Sequence, residues 1–264
     1  MLPLKRKRSA IKPQTPVKRP SRGPLLLMAV IAIMAVAAAS AYLLMPKNPV
    51  QPPLYVGIVD QFYSKSPEFT DRAVALLSKH NVSYGLHTDS DVNVSLYRNL
   101  PSYGYNLIVL RVHAGINQGI GGAVFLFTAE PFSQYRYVYE VNTSQLAPGM
   151  ISLEGPEGML FTVGPQFVKR SMQGDFNGAT LVLSSCYGLN NTILADALRQ
   201  KGALHVIAWD GLVSLEQTDR AILELLSNIV EGGLSPGEAL TALDDGAKKD
   251  PYYGSTLKIY PPVK

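Results

Sequence analysis

Residues 180–209 read TLVLSSCYGLNNTILADALRQKGALHVIAW. An apolar run (180–185) ends at a cysteine, a helix-compatible segment (191–202) closes on Gly202, and a second apolar run follows at 204–209. Strand, helix, strand in that order predicts neighbouring parallel strands, because a parallel pair needs a crossover of about a dozen residues. Downstream, SLEQTDRAILELLSNIVEGG (214–233) reads as a helix with a Ser214/Gln217 capping box and Gly232–Gly233 beyond its end. Ser235 and Glu238 form a second box with Pro236 at the first helical position, opening a helix expected to end near Gly246. Upstream, LYVGIV (54–59), VSYGL (82–86) and NLIVLRV (106–112) read as strands, and 66–81 and 91–100 as helices. Between the two halves, residues 121–165 contain VFLF, YRYVYEV, MISL and MLFTV separated by Pro and Gly, a pattern of β-hairpins. Tyr135, Tyr137 and Tyr139 alternate there as one packing stripe of a strand. The expectation is an α/β, three-layer domain over 54–264 with a mainly parallel sheet and a β-rich insertion.

Composition narrows the function. The 264 residues are 47% hydrophobic and 17% charged, and the 19 prolines and 22 glycines follow no period, which excludes collagen-like and solenoid chains. The net charge of +4 is misleading about partners. Eight of the 24 basic side chains lie in residues 1–24 with no acid among them, so the other 240 residues carry 16 basic and 20 acidic groups, a net −4. Basic character belongs to a tail, and no nucleic-acid partner is expected. Cys186 is the only cysteine, so neither an internal disulfide nor a thiolate metal cluster is available.

Beyond the basic tail (1–24), residues 25–45 run for 21 positions without a charge. At 1.5 Å per residue that length crosses a hydrocarbon core of about 30 Å. The run reads as one transmembrane helix in contact with membrane lipid. With the positive charge on its N-terminal side, the N-terminus is expected in the cytoplasm and the domain outside the cell. The same run admits a second reading as a cleaved leader, since Ala37 to Ala41 offer small residues, although a secretory core is usually only about 7–15 residues long. A proline-rich linker (46–53) follows, and sequons at Asn81, Asn93, Asn142 and Asn190 agree with an external location.

In parallel sheets, reactive groups gather beyond the carboxyl ends of the strands. His113 directly follows the apolar run 106–112, and Cys186 directly follows 180–185. If those strands are neighbours, an imidazole and a thiol emerge side by side. A thiolate is the competent nucleophile, and a neighbouring imidazole takes its proton and returns it to a leaving amine. Backbone N–H groups at Ala114, Gly115 and Cys186 are the candidate donors to the oxyanion. The plainer reading makes Cys186 a small core residue and His113 a satisfied polar group at a strand end.

LIVLRVHAG followed by TLVLSSCYGL resembles the paired signature of caspase-like cysteine peptidases, nearest the CHAT and separase branch, and the likeness extends through residues 202–243. The resemblance implies Cys186 as nucleophile, His113 as general base and acid, and a peptide or protein substrate. It also points to Asp210, in Trp209-Asp210, as an acid receiving a basic side chain before the scissile bond; the alternative for Asp210-Gly211 is a plain turn. The family usually has glycine directly after the histidine, whereas Ala114 intervenes here, and Ser185 stands where alanine is common.

No His/Cys cluster has metal-ligand spacing, and neither a P-loop nor a dinucleotide fingerprint occurs, so no metal or cofactor is expected. His80, His87 and His205 are set aside, and Gly119-Ile120-Gly121-Gly122 reads as a flexible loop near the site. The sequence thus predicts a membrane-anchored extracytoplasmic cysteine endopeptidase. Its alternatives are a catalytically inactive ectodomain binding peptide or cell-envelope partners, and a transpeptidase in which an amine intercepts the acyl-enzyme.

Overall fold

Strands and helices alternate along the computed structural model as β1 (Tyr55–Asp60), α1 (Glu68–Lys79), β2 (Ser83–Thr88), α2 (Val94–Asn99), β3 (Leu107–Arg111), β4 (Ala114–Asn117), β5 (Ala123–Pro131), α3 (Val138–Asn142), β6 (Leu146–Gly149), β7 (Leu160–Val163), α4 (Pro165–Arg170), β8 (Thr180–Ser184), α5 (Ile193–Gln200), β9 (His205–Trp209), α6 (Leu215–Val230), α7 (Pro236–Ala242), α8 (Asp245–Lys248) and β10 (Leu257–Tyr260). The structure describes residues 53–151 and 158–263, with Ile31, Ile33, Met34, Ala35 and Ser40. The chain divides into two compact units, Met1–Gln51 and Pro52–Lys264. In the first, the five described residues are helical. The expected basic tail, most of the expected spanning run at 25–45 and the linker up to residue 52 lie outside the described residues. Among the described residues no helix is long and apolar enough to cross a membrane.

The second unit is α/β. Its main sheet has the strand order β10-β9-β8-β3-β1-β2, parallel except for β10, which pairs antiparallel with β9. Strands β1, β3 and β8 are buried along nearly their whole length, which explains why their sequences read as continuous apolar runs. Period-two alternation divides their side chains between two cores. Ile108, Leu110, Leu181 and Leu183 pack with α2, α4, α5 and the small sheet. Leu107, Val109, Val182 and Trp209 pack with α1, α6 and α7 on the opposite face. Each fully buried aliphatic side chain contributes roughly 1.5–3 kcal/mol.

One end of the sheet depends on two glycines. Gly57 and Gly85 lie opposite each other in the β1–β2 register, and the Tyr105 ring covers both. A Cβ on Gly57 would stand 2.6 Å from Tyr105 Cδ2, so only glycine leaves room for the ring. The Tyr105 hydroxyl meets His87 Nε2 at 2.9 Å, giving the set-aside histidine a packing role.

The region expected to be β-rich forms a four-stranded antiparallel sheet of order β4-β5-β7-β6. Two details differ from the expectation. YRYVYEV is not a strand: residues 138–142 are helical, because Tyr137 and Val141 lie four apart and pack together on the core, while Tyr135 and Tyr139 are exposed. The third strand sits at Leu146–Gly149 rather than in MISL, whose last two residues lie outside the described residues. Gly121 and Gly122 have positive φ and form the β4–β5 turn.

Two helix ends also differ. The Ser235/Glu238 capping box forms, but the Ser214/Gln217 box does not. Gln217 Nε2 instead donates to the carbonyls of Gly246, Ala247 and Lys249, and Ser214 is held by Asp250. Helix α7 stops at Ala242 because Leu243 turns extended and enters the core, so α8 is a separate turn.

Candidate active site

The parallel register between β3 and β8 runs from Leu107 opposite Thr180 to Arg111 opposite Ser184. His113 and Cys186 each lie two residues beyond that last rung, on strands that are direct neighbours. Adjacent strands run about 4.7–4.9 Å apart, so the two residues leave the same edge of the sheet at corresponding places.

Arg111 and Ser184 turn toward α6. Ser184 Oγ meets Thr218 Oγ1 at 2.9 Å, and the Arg111 guanidinium binds Asp219 through Nε at 2.7 Å and Nη2 at 2.8 Å. Arg111 Nη1 also reaches both oxygens of Asp60, at 2.8 and 3.0 Å, and Ser66 accepts from both terminal nitrogens. Thr70 Oγ1 donates to Asp60 Oδ2 at 2.7 Å. Arg111 and Asp60 are fully buried, and the guanidinium has a partner for every nitrogen. Its pKa stays raised: burial works against the charge, but the Asp219 and Asp60 carboxylates outweigh it. The cluster ties together β1, β3, α1 and α6 directly beneath the candidate site.

His113 rests on that foundation through Phe62. The Phe62 ring stands 5.3 Å from the Arg111 guanidinium and meets the His113 ring edge-on at 4.5 Å. The His113 N–H donates to Gln61 Oε1 at 2.9 Å, while its carbonyl accepts from Phe127 N–H at 2.9 Å. Gln61 in turn donates to the Thr128 carbonyl at 2.9 Å. The backbone of His113 is therefore fixed between the turn after β1 and strand β5.

Cys186 is half-buried against the α1/α6 core, and its thiol donates to the Val213 carbonyl at 3.6 Å. Burial pushes the thiol pKa above its ordinary value, and the charge on Asp250 adds to the effect. Asp250 fixes this wall of the site. Its fully buried carboxylate accepts from Ser214 N–H (2.8 Å), Ser214 Oγ (2.9 Å), Tyr252 N–H (2.8 Å) and Tyr253 N–H (2.7 Å). Burial alone would raise the Asp250 pKa, but these donors hold it below the usual carboxylate value.

Ala114 and Gly115 open β4, opposite Leu126 and Phe125. Since Phe127 N–H bonds the His113 carbonyl, the alternation of an antiparallel ladder turns the Ala114 N–H away from β5 and the Gly115 N–H toward it. Ala114 is thus the better-placed donor beside His113. Asp210 lies on the same edge of the sheet, but its carboxylate is engaged: Oδ2 pairs with Lys258 at 2.7 Å and Oδ1 accepts from Thr256 N–H at 2.7 Å. Those bonds tie β10 to the end of β9 and hold the Asp210 pKa below the ordinary value, against the opposing pull of burial.

Sequence reasoning missed Asp60, Phe62, Asp219 and Asp250. The signal for the first cluster is Arg111 itself, a cation inside an otherwise apolar strand, which requires buried carboxylates somewhere in the fold. Comparison of the chain with protein-family models and with curated proteins finds no match.

Proposed function

We propose that the domain is a caspase-like cysteine endopeptidase acting through Cys186 and His113. The observation that carries the reading is the β3–β8 register, which brings an imidazole-bearing and a thiol-bearing residue to corresponding positions past one sheet edge. Two further features support it: the small sheet that the chain inserts in sequence between β3 and β8, and the backbone bonds that hold His113 to Gln61 and Phe127 and Tyr187, next to Cys186, to Gly211.

In the proposed reaction, His113 takes the proton from the Cys186 thiol as the sulfur attacks the scissile carbonyl. The N–H groups of Cys186 and Ala114 receive the oxyanion. The C–N bond then breaks and the imidazolium protonates the leaving amine; water, deprotonated by His113, attacks the thioester carbonyl, the C–S bond breaks to free the carboxylic acid, and the imidazolium returns its proton to the sulfur. With the thiol pKa raised at rest, the sulfur stays protonated until a bound substrate displaces its contact with Val213 and brings in the imidazole. Recognition of a basic residue through Asp210 would require that residue to displace Lys258. In this reading the domain is held outside the cell by residues 25–45.

The second reading is a silent ectodomain that binds peptide or cell-envelope partners. The half-buried, carbonyl-bonded thiol favours it. Incubating the full chain with a peptide library and mapping products by mass spectrometry separates the two. The peptidase reading expects cleavage that disappears in both Cys186→Ala and His113→Ala. Cleavage persisting in Cys186→Ala, or retention of intact peptides without turnover, overturns it.

A further inference from the structure

We propose that the outer face of the small sheet is the subsite for the substrate residue that follows the scissile bond, and that it takes an apolar side chain. The inference rests on the peptidase reading. In β4, Gly115 and Asn117 share one face of the strand, and by the same alternation His113, just before the strand, belongs to it. Phe127 lies across from His113 on the neighbouring strand, bonded to its carbonyl, and its ring stands 6.1 Å from the imidazole. Phe127 also lines a groove of about 480 Å³ with Gly115, Asn117, Phe125, Gly149 and Thr162. One wall of the groove, Phe127, therefore adjoins the imidazole.

The chemistry then fixes which part of a substrate would enter it. The general acid stands beside the leaving nitrogen, so the polypeptide departing with that nitrogen continues on the imidazole side, away from the sulfur. β4 is an edge strand, and its outward N–H and C=O groups can pair with an extended chain, directing alternate side chains to either face. The groove floor is aromatic. Gly149 permits this, since a Cβ there would come within 2.6 Å of Phe127 Cε1. No charged side chain lines the groove among the described residues, so a carboxylate or ammonium would lose its hydration without a counter-charge. A volume within the range of small-ligand clefts, roughly 300–1,000 Å³, accommodates leucine, methionine or phenylalanine.

The test uses the full chain with two substrate types that share the residues before the scissile bond. One continues as a peptide whose next residue is varied; the other ends in an aryl amide with nothing beyond it. The expected result is a preference for leucine, methionine or phenylalanine over aspartate at that next position of about 10–200-fold in kcat/KM. In Asn117→Phe, which fills the groove, the ratio of peptide to aryl-amide kcat/KM is expected to fall about tenfold, and in Asn117→Arg the preference is expected to move toward acidic residues. Turnover of both substrates with no preference at that position, or a ratio unchanged in both variants, overturns the subsite alone. No turnover of either substrate with the native chain overturns the peptidase reading itself, and the subsite falls with it.

Discussion

Replacing Arg111 with methionine keeps the aliphatic stem and the fill of the strand end but removes the guanidinium that pairs with Asp60 and Asp219. Two carboxylates, one fully buried, are then left facing each other without a counter-charge. Removing one partner of a buried pair costs about 3–5 kcal/mol. At about 2–4 °C per kcal/mol for a domain of this size, the midpoint of thermal unfolding falls by roughly 6–20 °C. The assay is built into the chain: Trp209 is its only tryptophan, fully buried and bonded through Nε1 to Thr218 Oγ1 at 2.9 Å, so its emission reports unfolding of this domain. The pH dependence has a definite sign. Burial already holds the Asp219 pKa above its ordinary value in the native fold, against the pull of the Arg111 guanidinium; without Arg111 that opposition is gone and the pKa rises further, and a raised pKa favours the folded state where the group is protonated. The deficit relative to the native chain is therefore full above that raised pKa and narrows as the pH falls through it toward the ordinary carboxylate value of about 3.9. Arg111→Lys, with charge but no bidentate fork, falls between the two. A deficit below about 1 kcal/mol, or one that does not change with pH, refutes the account of the cluster.

Other consequences are equally direct. Without substrate, alkylation of Cys186 by iodoacetamide is expected to be slower at neutral pH than that of a free thiol and to keep rising beyond about pH 8.5, because burial raises the thiol pKa; a faster rate than free cysteine at neutral pH contradicts this. Asp250→Asn weakens the four bonds that hold Ser214 and the 252–253 turn, at a cost of about 2–4 kcal/mol by urea unfolding. Since the Asp250 pKa is lowered in the folded state, that difference is present above about pH 4 and is lost as pH falls further. Gly57→Ala forces the Tyr105 ring aside at a cost of about 1–3 kcal/mol, and Gly57→Ala combined with Tyr105→Leu recovers part of it.

The apolar runs of β1, β3, β8 and β9 announced a mainly parallel sheet because strands buried on both faces cannot hide their composition. The positions of His113 and Cys186 at the ends of two such runs were equally legible. Their adjacency was not, since pairing between strands some 70 residues apart depends on the order of the whole sheet. Strand β10 escaped notice because four residues including a lysine carry little periodicity, and its pairing with β9 is secured by Asp210 and Lys258. YRYVYEV satisfied both a period of two and a spacing of four, and packing of Tyr137 and Val141 on the core decided for the helix. Ser214 and Gln217 matched a capping box in spacing, yet carbonyl and carboxylate partners from residues 246–250 drew both side chains away.

Labelling of the full chain with a peptidyl acyloxymethyl ketone, located by mass spectrometry, tests the pairing of thiol and imidazole most directly. The account predicts modification at Cys186 in the folded chain, strong suppression in His113→Ala, and loss on denaturation. Equal labelling of native, His113→Ala and unfolded chains would contradict it.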